Sequence, residues 1–273
     1  MKQIEIPASS GVVGKKNFLS ALELRQFRNK IKTHGLIRTF LYSLEFAARP
    51  FWRKYWVNGV CKSYAQDYED VIMDKALGNK ATGTYLDIGA FDPADLSNTK
   101  RFYDRGWRGC NVEPEPVRFQ KFLRERPEDI NLNVGVSDCA GQLVFFDFEE
   151  GAYSTFSEEH AKDLLRTGAK LKQKIEVPVV SMKDIFEKHF QGRAVDFCSL
   201  DAEGMDLQIL KSNDWCRFRP KVFCVEDAFA PVDSDDGRQH ESVEKRLVAE
   251  GYRKIAETFE YGNRLNAIYI DEK

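Results

Sequence analysis

A largely parallel α/β sheet flanked by helices is the fold this sequence predicts, and three observations predict it. From residue 84 onward, short apolar runs that read as strands alternate with segments of helical spacing. One such run, Tyr85-Leu86-Asp87-Ile88, stops at Gly89, and a helix start follows at Ser97-Asn98-Thr99. The next run, through Asn111-Val112, stops at an acid, Glu113, followed by Pro114. A glycine turn after one strand and a carboxylate at the tip of the next is how such a sheet builds a nucleoside site. The glycine lets backbone approach the ligand, and the acid accepts hydrogen bonds from ribose hydroxyls.

Taken in order, residues 1–17 are polar and read as a loose end. Apolar positions then recur at helical spacing (Phe18, Leu19, Leu22, Leu36, Ile37, Phe40, Leu41), and Phe51, Trp52, Tyr55 and Trp56 follow among Arg49, Arg53 and Lys54. This predicts an N-terminal helical extension over 1–62. Such a basic, aromatic segment packs on the domain, pairs with a second copy in a homodimer, or lies on a membrane surface. Ser63 to Leu77 predicts one short helix, ended by Gly78 and Asn79. Strands are expected near 84–89, 109–113, 131–137, 143–148, 176–180, 195–200, 221–226 and 265–271. Helices are expected near 97–105, 115–125, 181–190, 205–211 and 240–250. Residues 150–175 interrupt the alternation, and Gly168 with the lysines of 170–174 reads as an exposed loop. Two final runs about Gly262-Asn263 predict a C-terminal antiparallel hairpin added to the sheet. The second unit therefore spans 63–273.

A formal net charge of -2 argues against a dedicated nucleic-acid binder, so no nucleic-acid partner is expected. The six cysteines form no C-x-x-C pair and lie near no histidine at ligand spacing, which reads as buried reduced thiols of a cytoplasmic protein. The N-terminus lacks the apolar core of a signal peptide, and no uncharged run reaches membrane-spanning length. The expected location is cytoplasmic, with peripheral contact at the inner face of the membrane if the N-terminal segment serves that purpose.

The glycine turn narrows the cofactor. A dinucleotide site wants G-x-G-x-x-G for its pyrophosphate, and a nucleoside triphosphate site wants a Walker lysine. Here Gly89 stands alone, between Asp87 and Asp92. Carboxylates there repel phosphate and suit a cationic, phosphate-free ligand, and S-adenosylmethionine answers that description.

On these residues the chain resembles the class I S-adenosylmethionine-dependent methyltransferases, and more narrowly the FkbM type. The resemblance covers roughly 63–230. Four pieces carry it: Ser63-Tyr64-Ala65-Gln66 with Glu69-Asp70; Leu86-Asp87-Ile88-Gly89-Ala90 with Ser97-Asn98-Thr99; Trp107-Arg108-Gly109 through Glu113-Pro114; and Ser199-Leu200-Asp201-Ala202-Glu203-Gly204. Phe91 and Pro93 depart from it, standing where many relatives have Asn and Gly. The resemblance implies a Rossmann-like methyltransferase sheet. It also implies that Asp87, Gly89 and Ala90 line the methionine end of the cofactor, Glu113 and Pro114 the ribose, and Ser137 and Asp138 the adenine. Gln66 and the Glu69-Asp70 pair would close over the cofactor, and Asn98 and Thr99, at a helix start, would meet its carboxylate. Local alternatives stand beside these roles: Asp138 as a turn residue, Ser97 or Asn98 as a cap, Glu69 and Asp70 as solvated helix residues.

The FkbM resemblance further implies a hydroxyl acceptor on a sugar, glycan or natural product. An alcohol needs help to lose its proton, from a base or a metal. Asp201 and Glu203 follow one apolar strand, and Glu226 and Asp227 follow another, which places both acid groups at the carboxyl edge where ligands bind. Asp201 and Glu226 are the candidate base or orienting pair, with Glu203 as a further choice; Asp201 caps the following helix in the plainer reading. Asp201, Glu226 and Asp227 are the candidate ligands of a magnesium ion. His240 is the candidate histidine base. In the insertion, Tyr153 and Phe156 are placed to stack on a sugar ring and Ser154 or Thr155 to bond its hydroxyls. The competing function is a non-catalytic S-adenosylmethionine-binding or scaffold module of a glycan-assembly pathway.

Overall fold

The structure is a computed structural model and describes residues 62–226, 241–260 and 263–273. The expected extension over 1–62 (all but Lys62), His240, Asp227 and the tip of the expected hairpin at 261–262 lie outside the described residues.

Among the described residues the main sheet has seven strands. These are β1 (Thr84–Ile88), β2 (Arg108–Val112), β3 (Ile130–Leu132), β7 (Phe197–Leu200), β8 (Val222–Glu226), β9 (Tyr252–Glu260) and β10 (Asn263–Asp271), in the spatial order β3-β2-β1-β7-β8-β10-β9. The pairs β3/β2, β2/β1, β1/β7 and β7/β8 are parallel. β10 runs antiparallel to both β8 and β9, so the C-terminal hairpin is added to the sheet as the alternation predicts. A smaller sheet holds β4 (Gly135–Ser137), β5 (Gly141–Phe148) and β6 (Leu171–Ser181) in the order β4-β6-β5.

Both faces of the main sheet are covered, which is why its central strands read as almost continuous apolar runs. Side chains still alternate. Leu86 and Ile88 join a core with Cys198, Leu200, Phe223 and Val225, while Tyr85 faces the opposite core with Phe102, Trp107, Phe197 and Val222. The helices are α1 (Glu69–Ala76), α2 (Lys100–Asp104), α3 (Pro116–Glu125), α4 (Glu158–Thr167), α5 (Met182–Ile185, continued by a π turn to Phe190), α6 (Asp206–Lys211) and α7 (Val243–Ala249). Local chemistry explains several ends. The Glu115 side chain caps α3 at the Arg118 N–H with Pro116 in the first turn, Ser157 caps α4, and Ser181 and Asp184 close a capping box on α5.

Four expectations are corrected. The helix expected over 63–77 begins only at Glu69, because Ser63 and Tyr64 instead bond the Asp70 carboxylate. The strand expected over 131–137 is two strands in two sheets: β3 pairs with β2, and β4 pairs with β6. Lys172 and Lys174 lie in β6, paired with β5, not in a loop, and Lys170 directly precedes the strand. The insertion also contains α4, which ends at Gly168 with φ +98°. Of the cysteines, Cys110, Cys198 and Cys224 are buried as expected, Cys139 and Cys216 are exposed, and all five are free thiols.

Candidate active site

The site begins at the end of β1. Gly89 has φ +76° and presses against the next strand's loop, where a β-carbon would overlap the carbonyl oxygen of Asp201. Asp201 in turn donates its N–H to the Ile88 carbonyl at 3.0 Å, and the N–H groups of Gly89 and Ala90 both reach the Val112 carbonyl at 3.1 Å. The turn thus joins the tips of β1, β2 and β7. Phe91 also sits in the left-handed region, at φ +56°, where an aromatic residue costs roughly 1–2 kcal/mol. Its N–H donates to Glu113 Oε2 at 3.0 Å, which helps hold it there. That strain falls at the departure from the usual Asn, a residue that tolerates this conformation.

Glu113 is buried, and burial raises its carboxyl above the usual range against the pull of Arg118. Oε1 accepts from Glu115 N at 2.8 Å and Arg118 Nε at 3.0 Å. With Phe91 on Oε2, three of about four lone-pair sites are used, leaving one on Oε2. Pro114 is buried beside it, its carbonyl accepting from Asn133 Nδ2 at 2.9 Å.

Behind the turn lies a buried relay. Arg126, 1% exposed, donates through Nη1 to Thr99 Oγ1 at 2.7 Å, and Thr99 Oγ1 donates to Asp87 Oδ2 at 2.7 Å. Arg126 also bonds Ser97 Oγ and the Pro93 carbonyl. Thr99 thus spends its hydroxyl on Asp87, and Asn98 spends its amide on Ser199 Oγ at 3.0 Å. Ser97 Oγ accepts from Lys100 N at 3.2 Å, two residues ahead of the helix's N-cap position at Thr99, which itself makes no side-chain cap. Asp92 is committed to Lys121 at 2.8 Å and to the N–H groups of Ala94 and Asp95, so it does not supply the cation-attracting charge expected of it.

Glu69 and Asp70 are wholly buried rather than solvated. Glu69 accepts from Asp67 N, Thr258 Oγ1 and Asn266 Nδ2, and so ties α1 to the hairpin. Gln66 is half-buried just before it. Ser137 ends β4 in the small sheet and Asp138 follows it, with Gln208 Nε2 donating to Ser137 Oγ at 3.2 Å. They line a cavity of about 330 Å³ with Phe156, Met205 and Gln208. That is the size of a small-ligand site.

The strongest electrostatic feature is the tip of β7 and β8. One ligand-capable oxygen each from Asp201, Glu203 and Glu226 lies within 4.8 Å of the other two. Burial, then the neighbouring Asp87, pushes Asp201 up to about 6. Burial, then Asp201, pushes Asp206 up to about 8, and the same pair of causes raises Glu203 and Glu226 well above the usual range. Asp206 accepts from Ala202 N at 3.1 Å, while Glu203 occupies φ +49° in the turn between them.

The insertion closes over this loop. Thr155 Oγ1 donates to the Glu203 carbonyl at 2.7 Å, and His160 Nε2 on α4 lies 3.6 Å from Glu203 Oε2. Ser154 is bonded to Phe148 N and Asp147, and Phe156 packs on Phe145 with ring centroids 4.8 Å apart. The hydroxyls of Ser154 and Thr155 therefore serve internal contacts, not the sugar contacts expected of them, whereas Tyr153 is exposed. His160, Asp206 and Arg118 are the neighbours that sequence reasoning missed. Asp206 had a signal, since Asp201-x-Glu203-x-x-Asp206 puts three acids in six residues. His160 had none, because it lies on the insertion, forty-one positions before Asp201.

The sheet order, the antiparallel penultimate strand and the glycine turn beside an acid-tipped strand define a Rossmann-like methyltransferase fold. Residues 87–254 match the family model described as the methyltransferase FkbM domain, and the chain belongs to that family. No curated protein matches the chain significantly. Among solved structures, the chain is similar to the FkbM methyltransferase from Methylobacillus flagellatus KT, at 13% identity over 90% of this chain and 70% of that one, TM-score 0.45. It is also similar to the 1,6-didemethyltoxoflavin-N1-methyltransferase of Burkholderia thailandensis, at 13% identity over 84% and 86%, TM-score 0.39. The assignment rests on the family match and not on these distant likenesses.

Proposed function

We propose that the protein is an S-adenosylmethionine-dependent O-methyltransferase acting on a hydroxyl of a sugar, a glycan or a glycosylated natural product. The observation that carries this reading is the packing of Gly89 on Asp201, which makes the nucleoside-type turn and the acidic edge one continuous site. The residues fit the cofactor. Glu113 keeps one lone-pair site for a ribose hydroxyl, Asp87 is held in place by Thr99, and Ala90 and Pro114 flank the turn. Ser137 and Asp138 offer an oxygen-lined cavity wall for the adenine, and Gln66, Glu69, Asn98 and Thr99 frame the methionine end. The bound cofactor supplies an electrophilic methyl group on a sulfonium.

The chain's own residues align and deprotonate the acceptor. Alignment provides most of the gain in an in-line displacement. A raised carboxyl such as Asp201, near 6, is better matched to taking an alcohol's proton than an ordinary one. Glu226 orients the hydroxyl beside it, and a divalent cation at these acids would serve the same end. The basic, aromatic composition of 1–62 supports an acceptor at a membrane surface, reached by peripheral contact. Among the described residues no helix is long and apolar enough to cross a membrane.

The test has two stages. Calorimetric titration with S-adenosylmethionine is expected to give saturable binding. Product formation is then measured across a panel of sugar and polyol acceptors. Turnover on at least one, reduced about 100-fold or more in Asp201→Asn with cofactor binding retained, supports the reading. Binding without turnover on any acceptor favours the scaffold function instead.

A further inference from the structure

The three converging carboxylates have a geometry of their own. Their nearest oxygens fit inside a sphere whose members are at most 4.8 Å apart. Two oxygens on opposite sides of a magnesium, manganese or calcium ion lie about 4–5 Å apart, from ligand distances of roughly 2.0–2.6 Å. Among the described residues no lysine or arginine pairs with Asp201, Glu203 or Glu226; the basic side chain beside them is His160, 3.6 Å from Glu203, and burial lowers its pKa, which favours the neutral imidazole. A second observation points to a ligand. Glu226 is 7% exposed, sits at the carboxyl end of β8, and its Oε2 meets no N–H or hydroxyl donor; the side chain that Glu226 does bond is the Asp201 carboxyl, inside the cluster. A buried carboxylate oxygen normally has such a donor, and nothing in the sheet requires an acid there.

We propose that Asp201, Glu203 and Glu226 bind one hard divalent cation, magnesium or manganese, with the acceptor hydroxyl taking one of its remaining positions. The all-oxygen donor set selects these ions over zinc or copper. Glu203 thus joins the expected pair Asp201 and Glu226. His160 is a positioning residue, steering Glu203 from the insertion as outer groups steer metal-ligating carboxylates elsewhere. Only the hydroxyl's part rests on the methyltransfer reading; cation binding does not.

The full chain, without S-adenosylmethionine, is titrated with MnCl2 by calorimetry and by the loss of the free-ion electron paramagnetic resonance signal. The expected result is one saturable site, competed by MgCl2, with a rise in Tm on binding. Glu203→Gln and Glu226→Gln are expected to abolish the site, and His160→Gln to weaken it about tenfold or more. Apo Glu226→Gln is expected to melt at or above apo wild type, because Gln keeps the shape and removes a buried carboxyl crowded by Asp201 and Glu203, so loss of binding is not loss of fold. No saturable Mn²⁺ binding overturns the proposal, as does binding undiminished in Glu226→Gln. A parallel S-adenosylmethionine titration separates the two ideas: cofactor binding with no Mn²⁺ site removes the cation alone, and the reverse removes the cofactor reading alone.

Discussion

The α-carbon of Gly89 lies against the main-chain carbonyl of Asp201, with no room for a side chain between them. The donor turn and the acid at the tip of β7 are thereby locked in one geometry. Gly89→Ala meets two obstacles at once, a φ of +76° and an overlap with backbone. The expected loss is about 3 kcal/mol or more, read as a large fall in Tm or as failure to fold. A variant with wild-type Tm would mean that the contact is not as tight as described.

Thr99 links a buried arginine to a buried aspartate, accepting from Arg126 and donating to Asp87. Thr99→Val keeps the shape and removes both bonds, leaving charged groups short of a partner. Denaturant unfolding should show a loss of about 2–3 kcal/mol. An unchanged midpoint would show that the relay contributes little.

Asp206 carries a pH-dependent cost. Its folded pKa, near 8, exceeds the ordinary aspartate value of 3.8, so the folded protein binds more protons than the unfolded chain between those values. Stability therefore falls as pH rises through that window. Asp206→Asn removes this fall while its side-chain oxygen still accepts from Ala202 N. Its Tm advantage over wild type should grow from pH 4.5 to pH 8 and level off above. An advantage that shrinks with rising pH would contradict the account.

Asp74 works in the opposite sense. It is 3% exposed and bridges Arg101 Nε at 2.9 Å and Arg105 Nη2 at 2.6 Å, pinning α1 to α2. Burial opposes ionisation, but the two guanidinium groups win and hold the carboxyl below its ordinary value. The stabilisation is thus complete above about pH 4 and lost as pH falls through the lower folded value. Asp74→Asn should cost about 2 kcal/mol at pH 7, with wild type and variant converging below about pH 3.

Much of the fold was legible because the central strands are buried on both faces and bounded by glycine or acid. Tyr85–Ile88, Phe197–Leu200 and Val222–Val225 announce themselves by composition alone. The insertion was harder. Its strand β6 opens with Lys172, Gln173 and Lys174 all exposed, so its start looked like a polar loop. The break at Asn133 and Val134 between β3 and β4 leaves no proline or glycine signal, because the apolar alternation of Ile130, Leu132, Val134 and Val136 runs straight through it and Gly135 lies already within β4. In the site, Glu113, Asp201 and Glu226 were visible as acids after apolar strands. Asp92 misled because a turn aspartate and a ligand-facing one look alike in sequence, and only Lys121, twenty-nine residues away, decides between them.

The central claim is that the Gly89 turn and Glu113 form a nucleoside site for S-adenosylmethionine. Calorimetric titration of wild type and Glu113→Gln tests it most directly. Gln keeps the size of the side chain but loses the carboxylate's charge and turns its amide NH2 toward one of the N–H donors that Glu113 satisfies, so a melting curve first establishes that the variant folds; its affinity should then drop about tenfold or more, the loss of one charge-assisted hydrogen bond. Saturable binding in wild type, weakened in this way, is the predicted result. No heat with S-adenosylmethionine, or equal affinity in both proteins, would contradict it.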